Sequence, residues 1–363
     1  MSRENHLYFN AFNQIPQIGS VRFRRLLNYF PDLEAAWSAP ASELAKSGIE
    51  ESVVEKIVHL RAQIEPYAEF EKLEKHGASM IVFSDRAYPK LLREIPNPPM
   101  VLYIRGETKL DAHLAVAIVG TRRFTSYGRQ VTEDLAIGLA GRGITVISGL
   151  AFGIDALAHE TTLRSRGRTI GVLACGVDSI YPANNRLLGE RIIENGGAVI
   201  SELPLGAPPL KHHFPNRNRI ISGLALGTVV VEAGIESGSL ITARHALEQN
   251  RQVYAVPGSI YSPLSEGPNN LLKMGAKPIT KAADILEDLN LEDATAQMTV
   301  AGILADNDEE QKILAILTRE PIHFDQIVKQ GQLSAPTVAA TLTIMEMKGK
   351  VKNLGANQYV VSR

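Results

Sequence analysis

The sequence predicts an α/β protein whose centre is a doubly wound, Rossmann-like parallel sheet, with a small all-α region before it and a winged helix after it. Three observations carry this. Short β-branched runs, LAVAIVG, ITVISG, TIGVLAC, AVIS, TVVVEA and QVYAVPG, alternate with helical stretches from about residue 114. Each run is bounded by Gly, Ser or Cys and is apolar throughout, the pattern of parallel strands covered on both faces. At 363 residues the chain is longer than one core of roughly 250 residues holds, so several domains are expected.

The flanks are taken in chain order. Residues 1–80 read as short helices: Ser20 to Phe30 after Gly19, Leu33 to Ser38 after Asp32, Ser42 to Lys46, Glu50 to Leu60, and a longer one ending near Gly77. Within them IPQIGSVRFRRLL resembles a helix-hairpin-helix, but Gln17 stands where the first glycine would let the backbone approach a phosphate, and KSGIEESVVEKIV is an equally worn copy. A structural role is the preferred reading of this region. The core is assigned to 81–290 and an acidic linker to 291–305, because 284–310 holds nine acidic residues and no Lys or Arg. Residues 306–363 give three helices, EEQKILAILT, HFDQIVKQ and SAPTVAATLTIMEMKG, then two strands around Gly355, the order of a winged helix. Its recognition helix has no cation before Lys348, so a protein-contact or regulatory role stands beside reading of a duplex, and the sequence leaves both open.

Composition excludes several classes. The single cysteine, Cys175, follows an apolar run and forms no internal disulfide, and no apolar stretch reaches the roughly 18 residues that cross a bilayer. A cytoplasmic protein without a membrane partner is expected. GxGxxG after the first parallel strand and GxxxxGK[ST] are both absent, so neither a dinucleotide cofactor nor a P-loop nucleotide is expected. Asp155, His159, Glu202 and Glu232 lie near strand ends, but at no spacing that implies a metal or a nucleophile with its base, so no cofactor and no reaction are assigned.

Charge points elsewhere. The formal net charge is -1, yet 110–281 carries 17 Lys/Arg against 13 Asp/Glu while the remainder carries 21 against 26. The excess cations fall in loops that follow predicted strands, where helix N-termini also point: GTRRFTSYG, with a cap near Thr125 or Ser126, then SGLAFGIDALAHE, GVDSIYPANNR and KHHFPNRNR. Phe214 between Lys211 and Arg217 and Arg219 suits a single strand of nucleic acid, held by cations on phosphates and by an aromatic face under a base. The same residues also suit a loop anchor with arginine clamps on carbonyls and carboxylates. From this stretch both readings stay open.

Taken together, GTRRFTSYG, SGLAFGIDALAHETTL, GVDSIYPANN, ISELP, HFPNRNRIISGL, VVVEAGIESGSLITARHALEQNRQVYAVPG and GPNNLLKMGA closely resemble the DNA-processing protein A family, DprA or Smf, in order through roughly 90–280. The resemblance implies a bacterial cytoplasmic protein of natural transformation that is not an enzyme. It would bind and protect incoming single-stranded DNA, help load the RecA recombinase, and act as a homodimer. It also implies the DNA-binding residues: Gly120, Thr121 and Arg122 from the first loop, and Lys211, Phe214, Arg217 and Arg219 from the fourth. Ser148 and Gly149, at the end of the second strand, are expected beside them. Many members carry a lysine after the Tyr-Pro of the third loop; here Ala183 follows Pro182 and Arg186 is the nearest cation, with Pro182 and Asn185 assigned to loop structure. The rival is a nucleotide phosphoribohydrolase-like enzyme on a related sheet, whose PGGxGTxxE motif would align with EAGIESGSLIT; Thr242 then occupies the place of the catalytic glutamate and Ser239 that of the threonine.

Overall fold

A computed structural model describes residues 3–110, 114–291, 307–317, 322–348, 350–355 and 357–361. The acidic linker expected over 291–305 lies outside the described residues beyond Leu291. The chain forms two compact units, Met1–Ala140 with Ile144–Ile285, and Gly141–Gly143 with Leu286–Arg363.

The first unit opens with α1 (Arg3–Asn13), α2 (Ser20–Tyr29), α3 (Leu33–Ser38), α4 (Ala41–Lys46), α5 (Glu51–Arg61) and α6 (Pro66–Lys75). Asp32 caps α3 by accepting the Ala35 amide at 2.7 Å, as its place before the helix predicts. The helix α1 was not anticipated; its Phe9 and Phe12 are fully buried, with the Phe9 and Phe23 rings stacked 5.6 Å apart. There follow β1 (Ser79–Val82), α7 (Lys90–Arg93), β2 (Val101–Gly106), β3 (Ala115–Val119), α8 (Ser126–Ala140), β4 (Thr145–Ser148), α9 (Ile154–Arg164), β5 (Thr169–Val172), α10 (Arg186–Glu194), β6 (Ala198–Ser201), α11 (His213–Gly223), β7 (Gly227–Val230), α12 (Gly238–Glu248), β8 (Gln252–Ala255), α13 (Glu266–Lys273), β9 (Lys277–Pro278) and α14 (Ala282–Asp288).

The nine strands form one sheet in the order β1-β2-β6-β5-β4-β3-β7-β8-β9. From β6 through β9 all neighbours are parallel, so the core is the doubly wound α/β fold. The sheet is mixed rather than wholly parallel, because β2 pairs antiparallel with β6 and β1 antiparallel with β2. These two strands show why the boundary expected at residue 80 falls inside a strand. Side chains alternate across a strand: Met80, Val82, Val101 and Tyr103 pack with the N-terminal helices, while Ile81, Leu102 and Ile104 enter the core of the parallel sheet. The helices and the sheet are therefore joined through both faces of one strand pair. The chain runs outward from β3 to β6, then crosses back to start β7 on the other side of β3, which places the topological switch point between β3 and β7.

The second unit contains α15 (Asp308–Ile316), β10 (Ile322–His323), α16 (Phe324–Gly331), α17 (Ala335–Met347), β11 (Val351–Gly355) and β12 (Gln358–Val361), with the sheet order β10-β12-β11 of a winged helix. Ser334 caps α17 by accepting the Thr337 amide. Lys348 and Lys350 both bond the buried Glu310, at 2.8 and 2.6 Å, so the cations after the recognition helix have an internal carboxylate partner.

Tyr103 is fully buried where helices meet sheet; its hydroxyl donates to Asn10 Oδ1 at 2.8 Å and accepts from Asn13 Nδ2 at 3.2 Å. Tyr103→Phe leaves these amides without that partner, and a loss of about 1–3 kcal/mol in urea unfolding with an unchanged m-value is expected.

Candidate nucleic-acid interface

The loops after β3, β4 and β7 and the first turns of α11 and α12 enclose a crevice of 440 Å³ at the switch point. Gly120, Thr121, Arg122, Phe214 and Arg217 all line it, whereas Lys211 and Arg186 are not among its lining residues. Backbone contacts fix the first loop: the Thr121 amide donates to the Glu232 carbonyl at 2.6 Å, and the Thr121 carbonyl accepts the Ile154 amide at 3.1 Å. Gly153 permits this approach, since it has φ +85° and a Cβ there would collide with Thr121 and Arg122. The α8 N-terminus is capped by Thr125, whose Oγ1 accepts from the Gly128 amide and donates to Glu232, while the Glu232 carboxylate also accepts the Thr125 amide at 2.9 Å.

The cations separate into two kinds. Arg122 is exposed and, among the described residues, makes no hydrogen bond or ion pair. Lys211 is exposed just ahead of α11, and Arg186 is exposed at the first position of α10. Arg217, in contrast, is only 5% exposed; its Nη1 donates to the Gly149 carbonyl at 2.7 Å and to the Val172 carbonyl. Burial, partly offset by the charge of Asp155, pulls its pKa down to about 10, so it stays charged at neutral pH. Asp155 is buried beside it; burial pushes its carboxyl above the ordinary value, opposed by Arg217 and by the Gly149 amide, which it accepts at 3.0 Å.

At four of the expected positions the residue is engaged inside the fold. Ser148 is fully buried, donating to the Ile118 carbonyl at 2.6 Å. Gly149 is buried against the Arg217 guanidinium, where a Cβ would meet Nη2 at 2.6 Å. Together with Arg217 these residues support the crevice from inside. Arg219 holds Glu202 in a two-point ion pair, at 2.6 and 3.0 Å, with both side chains mostly buried.

The aromatic element is richer than anticipated. Phe214 is half-buried, with its ring edge-to-face on Tyr181 at 5.9 Å; Tyr181 is 46% and Phe152 is 43% exposed. Both lie in loops already singled out by their glycines and prolines, and an exposed aromatic within such a loop is the signal that would have marked them. Asn185 holds the third loop by donating to the Leu150 and Ala151 carbonyls, which agrees with its assignment to loop structure.

The titratable strand-end groups are engaged with neighbouring residues. Glu232 caps α8, Glu202 pairs with Arg219, and His159 Nδ1 shares a hydrogen with Thr169 Oγ1 at 2.6 Å. Burial, reinforced by Arg217, lowers the His159 pKa to about 3, which keeps the ring neutral. Thr242, the position that would need a glutamate for hydrolysis, lines the crevice as a buried hydroxyl residue.

Residues 79–290 match DNA recombination-mediator protein A, and residues 299–357 match the DprA winged helix domain. The chain belongs to this family. Protein Smf of Synechocystis sp. is 35% identical with 99% of each chain covered, and the DNA processing protein DprA of Bacillus subtilis is 41% identical over 70% of this chain and 88% of its own. The X-ray structure of DprA from Streptococcus pneumoniae superposes with a TM-score of 0.67 at 34% identity, covering 77% of this chain and 97% of that one. A structure of DprA from Helicobacter pylori, described for its single-stranded DNA binding mode, superposes with a TM-score of 0.53 at 35% identity, over 59% of this chain and 95% of that one. No helix among the described residues of this family member is long and apolar enough to cross a membrane.

Two outcomes follow for the interior. Arg217→Ala leaves the buried Gly149 and Val172 carbonyls without their donor and is expected to cost about 1–3 kcal/mol for each in denaturant unfolding, whereas Arg122→Ala stays within about 0.5 kcal/mol. Because His159 is neutral in the fold and takes up a proton on unfolding below its ordinary pKa of 6.5, its contribution to stability is complete above that pH. It should fall by up to about 1.4 kcal/mol per pH unit towards pH 3, and His159→Gln should flatten that part of the stability profile.

Proposed function

We propose that this chain is a single-stranded DNA-binding protein and that the strand lies in the switch-point crevice. One observation carries the reading: the half-exposed ring of Phe214 shares a crevice with an exposed, unpaired Arg122, while the buried carboxylates Glu232 and Asp155 are engaged by the protein itself. Arg122 would meet one phosphate, Lys211 a second, and Phe214 with Tyr181 and Phe152 would offer faces to bases. Gly120 and Thr121 shape the wall on which Arg122 stands, and Arg186 extends the basic rim where Ala183 replaces a lysine. The Helicobacter pylori relative described for single-stranded DNA binding supports this.

The strand so held would be DNA entering by natural transformation, protected in the cytoplasm and passed to RecA by a homodimer. Binding without turnover is supported by Thr242, a hydroxyl residue where hydrolysis would need a glutamate. The winged helix is assigned to protein contact, which the absence of Lys and Arg from its recognition helix supports.

Anisotropy titration of oligo-dT against salt tests the reading. Phe214→Ala is expected to weaken binding by about 1–3 kcal/mol while leaving the salt slope unchanged, because stacking releases no ion. Arg122→Ala or Lys211→Ala should weaken binding and reduce the slope by about 0.7 each. Equal affinity for duplex and single strand would contradict the assignment to this crevice.

A further inference from the structure

The first turns of α11 separate two cavities. Phe214 and Pro215 line the switch-point crevice, while His212, His213, Asn216 and Arg219 line a larger cavity of 720 Å³. The opposite wall of this second cavity is the N-terminal hairpin between α1 and α2, from Asn13 to Ser20, the IPQIGS stretch. A third cavity of 420 Å³ shares Gly19, Ser20 and Arg219 with the second and continues along α2 past Arg22 and Arg25. Three hollows thus follow one another from the tip of β3 to the outer face of α2.

Arginines outnumber carboxylates in the far part of this course. Arg22, Arg25 and Arg219 line its far part against two carboxylates, Glu50 and Glu202. Each carboxylate is already bridged by arginine; a hydrogen bond from Arg22 holds Glu50 down to about 2. The α2 N-terminus opens into both outer cavities at Gly19, which is exposed and has no side-chain cap, and no acidic residue occupies the first turn. A helix start of this kind favours anions.

We propose that a bound single strand continues past Phe214 into the cavity walled by the N-terminal hairpin and leaves along the arginines of α2, so that the helical region is a second contact for the same strand. This rests on the crevice being the primary strand site. The contact does not depend on the worn hairpin glycine: Gln17 stays where it is, and guanidinium groups with an open helix start take over the role of an approaching backbone.

Gly19 supplies the test. Its φ is -93° and a Cβ there would meet nothing within 4 Å, so an N-cap side chain fits without strain. Gly19→Asp and Gly19→Asn both cap α2 and should fold at least as well as the parent, but only the first places a negative charge on the proposed course. Oligo-dT of about 6 and about 20 nucleotides are compared with the full chain, the shorter spanning only the crevice. The expected result is that Gly19→Asp weakens the longer oligonucleotide about five-fold or more relative to Gly19→Asn, brings its salt slope to that of the shorter, and leaves the shorter unchanged. Equal binding of the longer oligonucleotide by the two variants would overturn the proposal. Unchanged binding of both oligonucleotides by Phe214→Ala would instead overturn the primary site on which it depends.

Discussion

One buried charge organises the strand-end face of this protein. The Arg217 guanidinium joins α11 to the carbonyls of Gly149 after β4 and Val172 at the end of β5, and faces Asp155 in the first turn of α9. A charge taken out of water is tolerated only when partners surround it, so the two loops and two helices must sit where those partners are. Phe214 is three residues earlier on α11, on the same helical face, and so is carried to the mouth of the crevice rather than into the core. The position of the aromatic face follows from the constraint beneath it.

The same logic separates supporting cations from available ones. Three acidic groups near the site are engaged inside the fold, Glu232 at the α8 cap, Glu202 with Arg219 and Asp155 with the Gly149 amide, while Glu236 lines the crevice exposed. Arg122, Lys211 and Arg186 are left facing solvent, and their charge is not cancelled locally. A chain that is nearly neutral overall can therefore present exposed cations on this face. In the winged helix the balance is the reverse, since Lys348 and Lys350 close on Glu310 and α17 shows Ile344 and Met347 to solvent.

Much of this was legible in the sequence. The parallel strands, the winged helix and the four strand-end loops were visible because apolar period and punctuation change there together. Arg122 and Phe214 were found by residue type and by position after a strand. Depth was not legible: Lys211, Arg217 and Arg219 stand in one basic run, and only packing shows that the first is exposed, the second fully enclosed and the third tied to Glu202. The strands β1 and β2 escaped because SMIV and VLYIRG lie ahead of the regular alternation and pair antiparallel. For the same reason the helical region looked separate, whereas alternate side chains of β2 bind it to the sheet.

The most direct test is a photocrosslinking map with a short single strand carrying 5-iododeoxyuridine, followed by peptide mass spectrometry of the full chain. If the strand is held at the switch point, adducts fall on Phe214, Tyr181 or Phe152. Adducts confined to residues 307–361 would contradict that placement and move the binding site to the winged helix.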